Sequence, residues 1–417
     1  MRSAAQPVGH VGIVGAGTMG AGIATSCATA GLTVTLVDAQ ADALAAGLAR
    51  VAANVDAALR KGRLTAAEAA DARARVRGAG SLPDLAAADL VIEAAFENLA
   101  VKQRIFAELG PICSAGTVLA TNTSTLDVDA IASASGRSAD CVGMHFFSPA
   151  HVMKLVEVVR GQASSPAAIA TARALAERLG KAAVVVGNCF GFVGNRMLYA
   201  YGREKELMLL EGATPERIDR ALEAFGMAMG PNAVGDLAGL DVGCSARREW
   251  RDRPDDPGFY RASDLLAGLG RYGQKTGRGF YRYDGPTGPR IADPEVVELL
   301  HAEAVRLGIA PRTVTDEKIV ARCLAALVNE GARVLGEGIA ASPADIDTIW
   351  CNGYGFPKAR GGPMRYADAR GLAGVLDDVE RFGRELGPRY WAPAPLLLEL
   401  AQLPGGFYDW QARRVGP

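Results

Sequence analysis

The sequence predicts an α/β protein: a doubly wound, mostly parallel sheet over residues 1–187, followed by an all-helical second half. Short apolar runs alternate with helix-length stretches as far as Gly187, the pattern of a parallel sheet covered on both faces. A Gly-x-Gly-x-x-Gly turn joins the first run to the first helix-like stretch. Beyond Asn188 the strand-like runs stop, and a local pattern of caps and glycines occurs twice.

The elements follow in order. HVGIVGAG (10–17) is an apolar run ending in glycines, and a helix-like stretch continues to Ala30. LTVTLVD (32–38) is a second strand closing on Asp38, and the Ala/Leu/Arg stretches over 40–77 read as helices. ADLVIEAAFE (88–97) is a third strand and NLAVKQRIFAEL (98–109) a helix. TVLATN (117–122), CVGMHFF (141–147) and KLVEVV (154–159) are further strands; AAIATARALAERLG (167–180) is a helix and KAAVVVG (181–187) the last strand.

The first turn carries Gly15-x-Gly17-x-x-Gly20. Alone that pattern is weak in a glycine-rich chain. Here it follows a strand, opens a helix and has Asp38 at the end of the next strand, the context of a dinucleotide fingerprint and a Rossmann-type domain. Gly15 permits the tight turn, Gly17 lets the backbone approach a pyrophosphate at the helix N-terminus, and Gly20 allows close helix–strand packing. Asp38 can accept hydrogen bonds from a ribose 2′-hydroxyl and would repel a 2′-phosphate, so NAD is expected rather than NADP. The fingerprint indicates a cofactor and leaves the reaction open.

A second feature is chemically odd. His145 lies inside one apolar run and Glu157 inside the next. A lone histidine in such a strand is commonly a satisfied core residue, and a lone glutamate commonly pairs with an arginine. The other histidines read as structural or solvated: His10 before the first strand, His151 in a loop, His301 on a charged helix.

Composition narrows the classes. Net charge is −1 with 22% charged residues and no long single-sign block, so neither a nucleic-acid face nor a polybasic membrane anchor is indicated. Seven scattered cysteines form no CxxC, which signals neither a disulfide framework nor a thiolate metal site, and no metal is expected. No apolar run approaches the roughly 20 residues of a membrane span. MRSAAQPVGH has no apolar signal-peptide core and ARRVGP is no SKL-type address, so the expectation is cytoplasmic.

The repeat sets LLEGATPERID (209–219) beside LGEGIAASPADID (335–347). Thr214 and Ser342 are N-cap candidates, with Pro215 and Pro343 at the first helical position. Each is followed by Gly-Pro (230–231, 362–363) and an aspartate ahead of Gly-Leu (236–240, 368–372). We read two copies of one helical unit, 188–290 and 310–417, beside a 1–187 NAD-binding domain. The Gly- and Pro-dense stretch between the copies reads as a domain edge.

Taken together, GIVGAGTMGAGIA, VIEAAFENLAVKQRIF, ATNTST, GMHFFSPAHVMKLVEVV, GFVGNRM, GRYGQKTGRGFY, EGIAASPADID and GYGFPKARGGPMRYAD resemble the L-3-hydroxyacyl-CoA dehydrogenases. The resemblance extends over essentially the whole chain, in the order of the dehydrogenase half of peroxisomal-type bifunctional enzymes. It implies His145 as catalytic base, Glu157 as the residue orienting it, and Ser124 and Asn195 as contacts of the substrate. It implies Glu97 and Lys102 as NAD contacts, with Met19, Asp38, Asn122 and Ser148. It further implies (S)-3-hydroxyacyl-CoA as substrate in acyl-CoA and fatty-acid metabolism. A separate enoyl-CoA hydratase would be the partner, the hydratase half having no counterpart here. Single-unit members of the family dimerise through their helical domain; with two copies, a monomer is expected. The family places an aromatic after Met-Gly-Pro where this chain has Asn232, a position expected to border the acyl group.

Two bland readings stand beside the site assignments: Ser124 could cap a helix opening at Thr125-Leu126-Asp127, and Asn195 could cap one at Arg196. Two other functions also compete. A β-hydroxyacid dehydrogenase shares the glycine turn but uses a lysine near the start of its helical domain, which GFVGNR lacks. A non-catalytic NAD-binding relative would have no need of Ser124, His145, Glu157 and Asn195 together.

Overall fold

The computed structural model describes residues 5–250, 252–285 and 288–415, and the chain divides into two compact units. The first runs to Phe192 and takes in Ile339–Ala341; the second holds the remainder.

The first unit opens with β1 (His10–Val14), α1 (Thr18–Thr29), β2 (Thr33–Val37), α2 (Ala41–Arg60), α3 (Ala66–Ala74) and β3 (Val76–Ala79). It continues through β4 (Leu90–Glu93), α4 (Leu99–Ile112), β5 (Val118–Thr121), α5 (Val128–Ala134), β6 (Cys141–Phe146), β7 (Leu155–Arg160), α6 (Pro166–Arg178) and β8 (Ala182–Gly187). The eight strands form one sheet in the order β3-β2-β1-β4-β5-β6-β7-β8, parallel except for the β6–β7 pair. Alternate residues face two cores. Val11, Ile13, Leu36, Ile92 and Met144 pack with α1, α2 and α6, while Val14, Val37, Val91 and Leu119 pack with Phe106 and Leu109 of α4 and Ile131 of α5. Burial on both faces is why these strands read as continuous apolar runs.

β3 is a correction to the sequence reading, which took residues 40–77 as helical. Thr65 starts α3 with a capping box, its side chain accepting from Glu68 N while Glu68 accepts from Thr65 N. The helix stops at Ala74, and VRGA becomes an edge strand beside β2. Four residues with Arg77 and Gly78 at the centre carry no alternation for a sequence reading to detect. At the other edge, β8 is met by the segment Ile339–Ala341: Gly187 N donates to Ile339 O at 2.7 Å, and Val186 bridges Ala340. Covering an edge strand this way removes a template for unwanted pairing.

The second unit begins with α7 (Gly194–Leu210), α8 (Pro215–Phe225), α9 (Pro231–Ala238), α10 (Leu240–Glu249) and α11 (Arg261–Gly268). A two-stranded ribbon, β9 (Arg282–Tyr283) with β10 (Arg290–Ile291), occupies part of the stretch read as a domain edge. It corrects the expectation that strands end near Asn188. Then come α12 (Pro294–Arg306), α13 (Asp316–Gly336), α14 (Pro343–Gly353), α15 (Pro363–Arg370), α16 (Leu372–Leu386), α17 (Pro395–Leu400) and α18 (Phe407–Val415). Helix α13 packs on α7, α8, α15, α16 and α17, and its middle turns from Arg322 to Asn329 are buried.

Thr214 and Ser342 cap α8 and α14 by accepting from Arg217 N and Asp345 N. Asp219 on α8 accepts from Asn232 N, Ala233 N and Tyr281 Oη; Asp347 on α14 accepts from Met364 N, Arg365 N and Tyr408 Oη. Asp236 accepts from Phe280 N and Tyr281 N, and Asp368 from Phe407 N and Tyr408 N. Each aspartate satisfies backbone N–H groups that a helix start or turn leaves unpaired. Gly230 and Gly362 leave the room this needs, since a Cβ at either would come within 2.4 Å of Asp219 or Asp347.

Charge is buried here too. Glu204 and Glu206 of α7 are fully buried; Arg322 of α13 donates to Glu204 at 2.7 Å and to Glu211 at 2.6 Å, while Ser263 N and Lys205 bind Glu206.

Candidate active site

The carboxyl ends of β1, β2, β4, β5 and β6 gather the first unit's polar residues. β1 lies between β2 and β4, so strand order reverses there, the place where open parallel sheets bind ligands. Gly15 takes φ +100° and its N–H holds Val37 O at 2.8 Å; a Cβ there would meet Ala94 O at 2.6 Å. A Cβ on Gly20 would sit 1.8 Å from Gly15 O, so the turn and the helix can be this close only without side chains. Gly17, by contrast, has open space around it, and as N-cap of α1 it brings no side chain to the helix's first N–H groups. No acidic residue lies in that first turn. An uncapped N-terminus behind a bare glycine fits a pyrophosphate. Asp38 accepts from Ala16 N at 2.9 Å and from Gln40 N at 3.0 Å, which fixes its carboxylate beside the turn. Met19 is half-buried against the core, and Ser148 is exposed just beyond β6. The residues present therefore fit a dinucleotide.

Two buried carboxylates organise the rest of the site. Glu93 ends β4 with no exposure; it accepts from Lys102 Nζ at 2.9 Å, Thr121 Oγ1 at 2.7 Å and Ala95 N at 2.7 Å. Lys102, equally buried, also donates to Asn122 O and lies 3.3 Å from Glu97 Oε2. Glu97 Oε1 in turn accepts from Thr123 Oγ1, Ser124 N and Ser124 Oγ. One lysine thus ties the end of β4, and the segment that follows it, to the end of β5. Asn122 extends the tie to β6, where its Oδ1 accepts from Phe146 N at 3.0 Å.

Glu157 is the other carboxylate. The antiparallel register of β6 and β7 sets His145 directly opposite Glu157, and Nδ1 lies 2.8 Å from Oε2. Both are buried, with the His145 ring against Phe147 and Phe192 at 4.4 and 5.7 Å between centroids. A carboxylate only accepts, so Nδ1 carries the proton and Nε2 presents its lone pair. Among the described residues Nε2 has no hydrogen-bond partner. The arginine partner considered for Glu157 and the core role considered for His145 give way to this pair.

Asn195 is carried by the second unit, on the first turn of α7, where Tyr354 Oη donates to its Oδ1 at 2.8 Å. Neither capping alternative holds. Asp127 caps α5, with Ser124 turned to Glu97, and Val193 stands at the N-cap of α7. Asn232, expected to border the acyl group, is fully buried, donating to Asp219 at 2.9 Å and accepting from Lys205 at 3.1 Å.

Sequence reasoning missed Glu93, Phe192, Lys181 and Tyr354. Glu93 carried the same signal as Glu157, a carboxylate inside an apolar run. Lys181 is buried, and its ammonium donates to Ala150 O and Met153 O, both at 2.7 Å, securing the loop after His145. Burial holds its pKa down at about 8. Phe192 and Tyr354 had no local signal.

Comparison with known proteins adds independent findings. The family model for 3-hydroxyacyl-CoA dehydrogenase, NAD binding domain, matches residues 10–189, and that for the C-terminal domain matches twice, over 191–283 and 319–405. The peroxisomal bifunctional enzyme of Cavia porcellus is 45% identical over 394 residues, 91% of this chain and 54% of that protein. The chain thus spans about half the length of the curated relatives it matches. Among solved structures, 3-hydroxybutyryl-CoA dehydrogenase from Escherichia coli aligns with a TM-score of 0.81 at 27% identity, covering 97% of this chain and all of that one. The dehydrogenase part of multifunctional enzyme 1 from C. elegans aligns at 0.68 and 31% identity, covering 95% and 90%.

Proposed function

The chain belongs to the 3-hydroxyacyl-CoA dehydrogenase family, and from that premise we propose that it reversibly oxidises (S)-3-hydroxyacyl-CoA to 3-oxoacyl-CoA with NAD. The observation that carries this reading is the His145–Glu157 pair, 2.8 Å apart across two buried strands. Oxidising a secondary alcohol requires a base for the hydroxyl proton, and a positioned histidine contributes about 10²–10⁴-fold. His145 Nε2 takes that proton. Glu157 holds the tautomer that makes Nε2 the base and stabilises the imidazolium that forms. Bound NAD supplies the acceptor for the hydride leaving C3. In the reverse direction His145 returns the proton to the C3 oxygen. Ser124 binds that oxygen, its backbone held by Glu97, and Asn195 is proposed as a further substrate contact. Gly15, Gly17, Met19, Gly20, Asp38, Glu97, Asn122 and Ser148 serve the cofactor. Lys102, fully buried, serves it through Glu97 and Asn122.

The helical half is read as two copies, 188–290 and 310–417, beside a 1–187 NAD-binding domain. The paired aspartates and the twofold family match support this. Because α13 covers α7 within one polypeptide, the chain is proposed to be a monomer. No helix among the described residues is long and apolar enough to cross a membrane. The cytoplasm is the proposed location, and a separate enoyl-CoA hydratase the proposed supplier of substrate. The test is oxidation of NADH by acetoacetyl-CoA. Turnover supports the reading; no turnover with any 3-oxoacyl-CoA would remove it in favour of a non-CoA hydroxyacid or a non-catalytic role.

A further inference from the structure

We propose that Tyr354, from the second helical copy, is a positioning residue for Asn195, so that this copy acts on catalysis without holding a site of its own. The proposal rests on the function argued above. Tyr354 stands at the C-cap of α14, and its hydroxyl donates to Asn195 Oδ1 at 2.8 Å. Its ring is not free to swing. It stacks on Trp350 at 4.8 Å between centroids and 23° between planes, and Trp350 is itself fully buried, with Tyr201 edge-on at 5.8 Å. The hydroxyl is therefore delivered from a rigid platform.

A second observation makes the contact a built feature. The residue before Asn195 is Gly194, where a Cβ would lie 2.5 Å from Tyr354 Oη and 2.6 Å from its Cε2. Any other residue would displace the ring. Gly194 does not take a positive φ, so its service is clearance. The Gly-Asn of GFVGNR is thus one device: the glycine admits the tyrosine, and the tyrosine grips the asparagine.

The chemistry of a carboxamide gives the grip its purpose. An asparagine rotates easily about its last torsion and presents an acceptor or a donor with little preference. Holding Oδ1 fixes the amide plane before substrate arrives. A group held in advance loses less freedom on binding and stays aligned as the thioester region docks. Asn195 is the residue that touches substrate; Tyr354 acts through it.

Steady-state kinetics of the full chain with acetoacetyl-CoA and NADH test this in wild type, Tyr354→Phe, Asn195→Ala and the double variant. Phenylalanine keeps the stack on Trp350 and removes only the hydroxyl. The expected result is about a 10-fold loss of kcat/KM for acetoacetyl-CoA, the order of one lost hydrogen bond, with KM for NADH and the melting temperature unchanged. In the Asn195→Ala background the same change is expected to have less than about a 2-fold effect, because the group it positions is gone. Gly194→Ala is expected to reproduce the Tyr354→Phe kinetics. Wild-type rates in Tyr354→Phe, or an undiminished 10-fold loss in the Asn195→Ala background, would overturn the proposal. An inactive wild type would overturn the proposed function and this inference with it, whereas an active wild type with additive variants would overturn only the role of Tyr354.

Discussion

At the scale of single residues, the site depends on carboxylates that fix other groups. His145→Gln is expected to lower kcat by about two to four orders of magnitude with NADH binding unchanged, measured by steady-state kinetics and fluorescence titration. Glu157→Gln should be almost as damaging, since an amide can donate to Nδ1 and so leave the proton on Nε2. Near-wild-type turnover in either variant would take that residue out of the mechanism. Asp38 predicts a preference for NAD over NADP of tens of fold, because a 2′-phosphate would meet a carboxylate. Asp38→Asn keeps an acceptor for Ala16 N and removes the charge, so the preference should shrink at least about tenfold; an unchanged ratio would contradict the charge argument. Lys102 is held between Glu93, Glu97 and Asn122 with no exposure. Lys102→Met leaves Glu93 buried and unpaired, and urea unfolding should show a loss of about 3–5 kcal/mol. Glu93 and Glu157 were only half legible in sequence. Both interrupt apolar runs, but a strand's residues do not reveal which neighbour lies opposite.

At the scale of elements, the helical unit is organised by aspartates that hold helix starts and turns. Burial pushes Asp347 up to about 6, against hydrogen bonds from Tyr408, Met364 and Arg365 and the nearby Arg365 charge; Asp219, Asp236 and Asp368 are raised for the same reason. A carboxyl raised above its unfolded value near 3.9 binds more protons in the native state between those values. Its stabilising contribution is therefore present below about pH 4 and lost as pH rises through about 6. Between pH 5 and 7 the wild type should lose about 1 kcal/mol relative to Asp347→Asn, read from urea midpoints at several pH values. Parallel pH curves for the two proteins would show that Asp347 titrates normally. The repeat's loops also differ in an informative way. One residue, Ala213, separates Gly212 from Thr214, whereas Ile339–Ala341 separate Gly338 from Ser342. The longer loop is the segment that covers β8. The duplicated caps were readable from sequence, because capping is local. The use of the extra residues was not, because their partner lies some 150 positions away.

At the scale of the whole molecule, α7 and α13, from the two proposed copies, pack on each other in one core. Met197, Tyr201, Met208 and Leu209 on α7 are buried, and Arg322 of α13 pairs with both Glu204 and Glu211, joining Arg203 on Glu204. A truncation ending at residue 290 would expose those side chains and strip both glutamates of Arg322. It should be insoluble or molten, while the full chain runs as a monomer at micromolar concentration by light scattering. A soluble, active truncation together with a stable full-length dimer would refute the idea that the second copy stands where a partner subunit would.

What the sequence determined by itself is what short stretches carry in their own chemistry. That includes the alternation of strands and helices, the glycine turn with Asp38, the Thr214 and Ser342 caps and the duplicated aspartates. Each depends on spacing within a few residues, or on runs that must be apolar because both faces of a sheet are covered. Local reading does not reach what depends on neighbours remote in the chain, although the family resemblance already implied Glu157 as the partner of His145. The β6–β7 register sets Glu157 on His145; burial sets the Lys102 ammonium among Glu93, Glu97 and a carbonyl; and close packing over Gly194 brings Tyr354 to Asn195. Strand β3 also belongs here, since four weakly patterned residues become a strand only when β2 offers them an edge. The physical reason is common to all four: a hydrogen bond or ion pair is specified by two groups, and a sequence read locally shows one of them at a time.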